Sequence, residues 1–175
     1  MPYPLRAGMD TPKRIWWARP GKLCALERPG GGGRSHRPER READVEYLRE
    51  SGVRLVVSLM TTRHNLAHYE EAGLEVRHVP LASWEAAGEA LDDLVRLLRR
   101  ELRRRGAVAV HGNRNTDMPA AICAAYLAEA HGADPALALE EAEAAGLVIT
   151  PDAYALVQPR SAMAAATSSG RSVIT

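Results

Sequence analysis

The chain has 175 residues, a formal net charge of +1 and 26% charged residues, which is enough for one domain with its own core and leaves no overall bias toward nucleic acid or membrane. Two cysteines far apart in apolar surroundings, Cys24 and Cys123, predict buried free thiols of a reducing compartment, not a disulfide framework or a metal pair. No signal-peptide pattern and no run of membrane-spanning length is present, so a cytoplasmic protein is expected.

Residues 1–14, with Pro2, Pro4 and Pro12 and little periodicity, predict an N-terminal arm. Ile15 to Ala18 and Lys22 to Leu26 fit two short strands around an Arg19-Pro20-Gly21 turn. Pro29 to Pro38, with four consecutive glycines, is expected as a flexible loop, read as an insertion in preference to a mobile lid. Glu39 to Ser51 has a helical stripe of Val45, Tyr47 and Leu48 stopped by Gly52, and Val53 to Leu59 is an apolar run suited to a strand buried on both faces.

Thr61 and Thr62 are expected to cap a short helix running to Gly73, followed by a strand from Leu74 to Val79. Glu85 to Arg105 predicts a long helix with Leu91, Leu94, Val95, Leu98 and Leu102 inward, its arginine-rich last turns read as a solvated face complementing the helix dipole. Helices are also expected from Pro135 to Ala145 and Pro151 to Val157, and 159–175 as a disordered tail. Alternating strands and helices predict an α/β fold: a single domain over 15–158 with a mostly parallel central sheet flanked by helices. Ligands of such sheets sit outside the carboxyl ends of the strands, which places 59–62, 81–85 and 111–118 around one pocket.

The stretch from Gly106 to Gly132 organises the chain. Ala107 to Val110 reads as a buried strand, His111 to Met118 as a polar loop and Pro119 to His131 as an Ala-rich helix. That is the layout of an anion cradle, where backbone N–H groups and the positive end of a helix converge on a ligand.

With Val110-His111 closing the strand and Ala120-Ala121 to Leu127 on the following helix, the stretch resembles the dual-specificity branch of the cysteine-based protein tyrosine phosphatases. Trp16 to Leu23, Asp44 to Leu59 with its L-x-x-x-G-V-x-x-V-V-x-L rhythm, and Leu74 to Leu81 extend the resemblance over roughly Ile15 to Gln158. The resemblance implies a nucleophilic Cys after the His, a phosphate-clamping Arg opening the helix and a general-acid Asp after the apolar residue at 81. Here those positions hold Gly112, Met118 and Ala82-Ser83. Without nucleophile, clamp and acid, no covalent phosphoryl route remains.

Two functions are therefore expected. One is a phosphatase-like protein without cysteine-phosphatase activity, its cleft refitted to bind a small molecule or a protein partner through Gly112, Asn113, Arg114, Asn115, Thr116, Met118, Ser83 and Trp84. The alternative is a repurposed lyase, isomerase or cyclase using Asp117 and His111 for proton transfer, with Ser83 and Glu85 as lesser candidates. Each residue also has a structural reading. Asp117 can cap its helix, His111 can hydrogen-bond the loop backbone, Arg114 can be solvated or replace the guanidinium, and Trp84 can anchor its loop. His64 and His68, four apart on an expected helix, lack a third ligand at diagnostic spacing, so no metal is expected; no cofactor is expected either, and the near-neutral charge leaves no nucleic-acid or membrane partner expected.

Overall fold

A computed structural model of the chain describes residues 11–159. The expected arm and tail lie outside them, apart from residues 11–14 and 159. Strands β1 (Ile15–Arg19) and β2 (Leu23–Leu26) form an antiparallel hairpin turned at Pro20 and Gly21. Gly21 takes φ 69°, the left-handed setting that glycine adopts without steric cost.

Next come α1 (Pro38–Glu50), β3 (Val53–Ser58), α2 (Leu66–Glu71), β4 (Glu75–His78), α3 (Trp84–Glu101), β5 (Ala107–His111), α4 (Asp117–His131), α5 (Pro135–Ala144) and α6 (151–159). The five strands lie in the order β1-β2-β5-β3-β4, parallel throughout except for the hairpin.

β5 is central and wholly buried, and its alternation divides the core. Val108 and Val110 face the layer of α3, α4, α5 and α6, with Leu91, Val95, Leu98, Ile122, Leu139 and Val157. Ala107 and Ala109 face α1 and α2, with Val45, Leu48, Leu66 and Tyr69. Helix α4 is buried from Pro119 to Leu127 because it is covered by the sheet, α3 and α5, which is why its sequence is apolar all round. His111 pairs in register with Leu26 of β2 and Ser58 of β3, so the residues after these three strands emerge together at one edge.

Several element boundaries differ from the sequence expectation for identifiable reasons. Helix α2 starts at Leu66, not near Thr61, because Asn65 sits at φ 69° and interrupts the helical path. His64 therefore precedes the helix, and the expected four-residue pairing with His68 on one helical face does not form. Helix α3 ends at Glu101, four residues short of Arg105. Its arginines are only partly a free solvated face: Arg104 bonds Glu101 at 3.3 Å and Arg100 lies 3.5 Å from it, around a Glu101 that also holds Arg54 at 3.1 Å. Burial pushes the Glu101 carboxyl up, but Arg54 and then Arg104 outweigh it and hold the group below its ordinary value.

Candidate functional site

After β5 the loop closes tightly on Gly112, the position where the resemblance implies a nucleophile. A Cβ built on Gly112 would stand 2.8 Å from the Asn115 carbonyl oxygen and 3.5 Å from Pro119 Cγ. A side chain at 112 thus needs the Asn115 peptide to move. A carbonyl directed at this point also opposes the electrostatics of an oxyanion cradle, which requires amide hydrogens to converge there.

The start of α4 is occupied as well. Helix α4 begins at Asp117, two residues before the expected Pro119, so Asp117 lies inside the first turn and Thr116 takes the cap position. The buried Asp117 carboxylate accepts from the Met118 amide at 2.9 Å through Oδ1 and from the Thr150 hydroxyl at 2.6 Å through Oδ2. A negative charge here complements the helix dipole at the point where a phosphate would sit. Thr116, also buried, accepts from the Val148 amide at 2.9 Å and donates to the Val148 carbonyl at 3.2 Å. The loop and α4 are thereby stapled to the 146–150 segment, beside a groove of about 610 Å³ lined by Ala136, Ile149, Pro151, Tyr154, Ala155 and Gln158.

On the neighbouring rim, the Ser83 hydroxyl accepts from the Ala86 amide at 3.1 Å as the N-cap of α3, and Trp84 packs against the core. Glu85 is exposed in the first turn of that helix, and half-buried Met118 packs against the core below the loop. The Leu59 amide bonds the His111 carbonyl at 2.9 Å and the Leu81 amide bonds the Leu59 carbonyl at 3.0 Å. The three loops expected to share a pocket are thus contiguous.

His111 faces the other way. Its ring is fully buried against α2, edge-on to Tyr69 with centroids 5.7 Å apart. Its Nδ1 lies 2.6 Å from the Gly112 carbonyl oxygen, so Nδ1 carries the proton and Nε2 presents a lone pair. Burial drives the pKa down to about 4; the bond to Gly112 opposes the shift, and Arg28 and His78 add to it. Asp117 and His111 therefore face different neighbours, Thr150 for one and Tyr69 for the other.

The glycine-rich stretch is seated on the loop and is not a loose insertion. The Gly33 amide donates to Asn113 Oδ1 at 3.0 Å, the Arg28 amide donates to the Asn113 carbonyl at 3.1 Å, and the Gly30 amide donates to Asp44 Oδ2 at 2.8 Å. A Cβ on Gly32 would lie 2.4 Å from Arg114 Cα, an approach open only to glycine. The Arg114 guanidinium lies over Gly33, where a Cβ would stand 2.7 Å from one of its nitrogens.

Both thiols lie away from the loop surface, inside the core. Cys24 on β2 and Cys123 on α4 are both free and fully buried, and burial raises the pKa of each. Among the described residues, no group of three or more His, Cys, Asp or Glu side chains has metal-binding geometry, and no helix is long and apolar enough to cross a membrane.

Sequence reasoning passed over Arg28, Tyr69 and Thr150 as site residues. Arg28 was within reach of it, since β2 runs parallel to β5 and its following residues must share the same edge. Thr150 and Tyr69 carried no such signal.

Comparison with known proteins gives this geometry its family context. The family model described as Tc-R-P, polymorphic toxin system, DSP-PTPase phosphatase, matches residues 30–133. Human DUSP28 superposes with a TM-score of 0.64 at 19% identity, covering 87% of this chain and 95% of its own. TpbA from P. aeruginosa gives 0.62 at 22% identity, covering 85% and 87%. Tk-PTP in its active form gives 0.60 at 20% identity, covering 81% and 92%. At these identities the likeness is one of fold. No curated protein matches the chain significantly.

Proposed function

Because the chain belongs to the polymorphic-toxin-system family of dual-specificity phosphatases, we propose that it is a member that has given up phosphate-ester hydrolysis and uses the former cleft for binding. The observation that carries this reading is the Asn115 carbonyl, 2.8 Å from where the side chain of a nucleophile at 112 would begin. Gly112 supplies no thiolate and Met118 no guanidinium, and the Asp117 carboxylate takes the helix N-terminus. The bound species is a small molecule or a protein partner of the toxin system. Exposed Leu137 (56%) and Val148 (54%), close to the groove along α6, support the protein partner. The buried free thiols support a reducing, cytoplasmic setting.

The test is turnover of p-nitrophenyl phosphate and of a phosphotyrosine peptide by rigorously purified protein. No vanadate-sensitive hydrolysis is expected, and Gly112→Cys alone restores none because the new side chain meets the Asn115 carbonyl. Vanadate-sensitive turnover by the wild type would refute the proposal.

The second reading, acid–base chemistry on a small molecule, is supported by one observation: the buried Asp117 carboxylate lies 2.6 Å from the half-buried Thr150 hydroxyl at the head of a helix. A conversion found in cell extract that Asp117→Asn abolishes at unchanged melting temperature would establish it over the first.

A further inference from the structure

On the far side of β5 from α4, beneath Gly30 to Gly33, the fold gathers a set of polar groups that the proposed function does not use. Buried side-chain atoms without a hydrogen-bond partner among the described residues are Arg28 Nε, His36 Nε2, Ser58 Oγ, Asn65 Nδ2, Tyr69 Oη and His111 Nε2. Such atoms are rare in folded proteins because each has lost water without gaining a partner.

These atoms cluster behind β5. Ser58 and His111 are register partners at the strand ends, and the Arg28 charge acts on Tyr69, His36 and His111. Tyr69 stands edge-on to His111, and Asn65 heads the same helix. The Asn65 side chain does not cap α2 but accepts from Arg41 of α1 at 3.1 Å, and its backbone is held at φ 69°, the one positive φ of a non-glycine among the described residues. Overhead, a Cβ on Gly30 would lie 2.7 Å from both His36 Cε1 and Arg41 Cβ.

Two arginines of the cluster have no ion-pair partner among the described residues. Glu27 and Asp44 are both engaged by Arg40, at 2.8 and 3.6 Å, whereas neither Arg28 nor Arg41 has a carboxylate within ion-pair distance among the described residues. The protonation behaviour agrees. Burial lowers the pKa of Arg28, His36 and His111, and Arg28 adds to the lowering at both histidines.

The groups are also complementary in kind. Arg28, Asn65, Tyr69 and Ser58 offer hydrogens, from more than one side. His36 and His111 each have Nδ1 against a backbone carbonyl, Gly31 at 3.0 Å and Gly112 at 2.6 Å, so each presents a bare Nε2 that accepts. A ligand that satisfies this set is an anion with several oxygens and at least one O–H.

We propose that this cluster forms a binding site for a phosphate-class oxyanion carrying a proton, opened when the Gly30–Gly33 segment lifts. Hydrogen bonds hold that segment: the Gly30 amide donates to Asp44 at 2.8 Å and the Gly33 amide to Asn113 at 3.0 Å, while the Gly30 carbonyl accepts from the Arg37 amide at 2.9 Å and the Gly31 carbonyl from His36 Nδ1 at 3.0 Å. Gly30, Gly31 and Gly33 take φ 91°, 93° and 57°, settings that glycine reaches without steric cost. The site lies on the opposite side of β5 from the α4 N-terminus and does not depend on whether the 112–118 loop catalyses anything.

Titration calorimetry and thermal shift with inorganic phosphate, glycerol phosphate and sulfate at matched ionic strength test the assignment. Phosphate is expected to bind and to raise the melting temperature. Sulfate, which has no O–H for the two imidazoles, is expected to bind roughly tenfold more weakly. A glycerol phosphate response equal to that of inorganic phosphate assigns the site to monoesters as well; a response to inorganic phosphate alone restricts it to the free ion, and either supports it. Arg28→Gln and Tyr69→Phe should each weaken phosphate by about tenfold or more. Tyr69→Phe keeps the ring packed on His111, so it carries the test should Arg28→Gln fail to fold. Absence of binding, sulfate equal to phosphate, or affinity unchanged in Tyr69→Phe overturns the proposal. So does affinity lost in Arg114→Gln but kept in Tyr69→Phe, which places the anion in the 112–118 loop. Ester turnover by the wild type would remove the proposed function and leave this site untouched.

Discussion

Acid should unfold this protein partly through one imidazole. His111 has a pKa of about 4 in the folded chain against an ordinary 6.5, because burial and the nearby Arg28 and His78 disfavour its cation. Between those two values the unfolded chain takes up a proton that the folded chain refuses, so stability falls as pH falls through the window. At about pH 4.5 the loss from this group is about 2.5 kcal/mol relative to about pH 7.5, close to its limit of about 3.4 kcal/mol. His36, also lowered by burial, acts in the same direction, while Asp44, raised by burial, acts oppositely as its carboxyl protonates. A difference of differences removes both. Urea unfolding of the wild type and of His111→Asn is measured at the two pH values. Asparagine keeps an N–H donor for the Gly112 carbonyl and does not titrate. The variant is expected to lose about 2.5 kcal/mol less than the wild type on acidification. Parallel losses in the two proteins would show that His111 is not held neutral by its surroundings.

Three further outcomes follow from contacts elsewhere in the fold. Gly32→Ala should cost about 1–3 kcal/mol, because its Cβ meets the Arg114 backbone at 2.4 Å, whereas Gly88→Ala in α3, with Leu156 Cδ1 3.8 Å away, should gain about 0.5–1 kcal/mol; urea midpoints read both. Thr150→Val removes the hydroxyl that donates to Asp117 at 2.6 Å and should lower stability by about 1–3 kcal/mol, visible as a drop in melting temperature. Glu101→Gln removes one of the two carboxylates that Arg54 engages, leaving Glu75, and should cost about 1–2 kcal/mol in urea unfolding, with less salt dependence than removing the exposed Arg96–Asp93 pair.

The fold could be read from the sequence where the pattern was set by burial. Val53 to Ser58 and Ala107 to Val110 are apolar because the layers on both sides of the sheet demand it, and the helical stripe of α3 points to its core partners directly. Boundaries failed where a backbone setting decided the matter. Nothing in Thr61 to His64 discloses that Asn65 will turn left-handed, and nothing in Met118-Pro119 discloses that the helix takes in Asp117. The site could be read as a place but not as a set of contacts. Residues 111–118 do lie at the carboxyl edge beside 59–62 and 81–85, but the partners that fix them, Thr150, Val148 and Gly33, come from segments with no motif. The glycine run illustrates the limit most clearly. Four glycines have the same composition whether the segment is loose or is pressed to 2.4 Å from another backbone.

The changes around Gly112 support one another physically. A ring of inward amide hydrogens is costly unless an anion neutralises it, and a thiolate or bound phosphate normally serves that purpose. With glycine at 112 that compensation is absent, and the Asn115 carbonyl takes the space a side chain would have kept open. The positive end of α4 still needs a negative partner, and Asp117 provides one covalently. That carboxylate, once buried, needs a second donor, which Thr150 supplies from the segment before α6. Asn113 accepts from the Gly33 amide at 3.0 Å, which ties the glycine segment to the loop. Under the proposed loss of hydrolysis, placing a cysteine at 112 alone leaves the carbonyl, the carboxylate and the glycine segment all opposed to a bound phosphate in that loop.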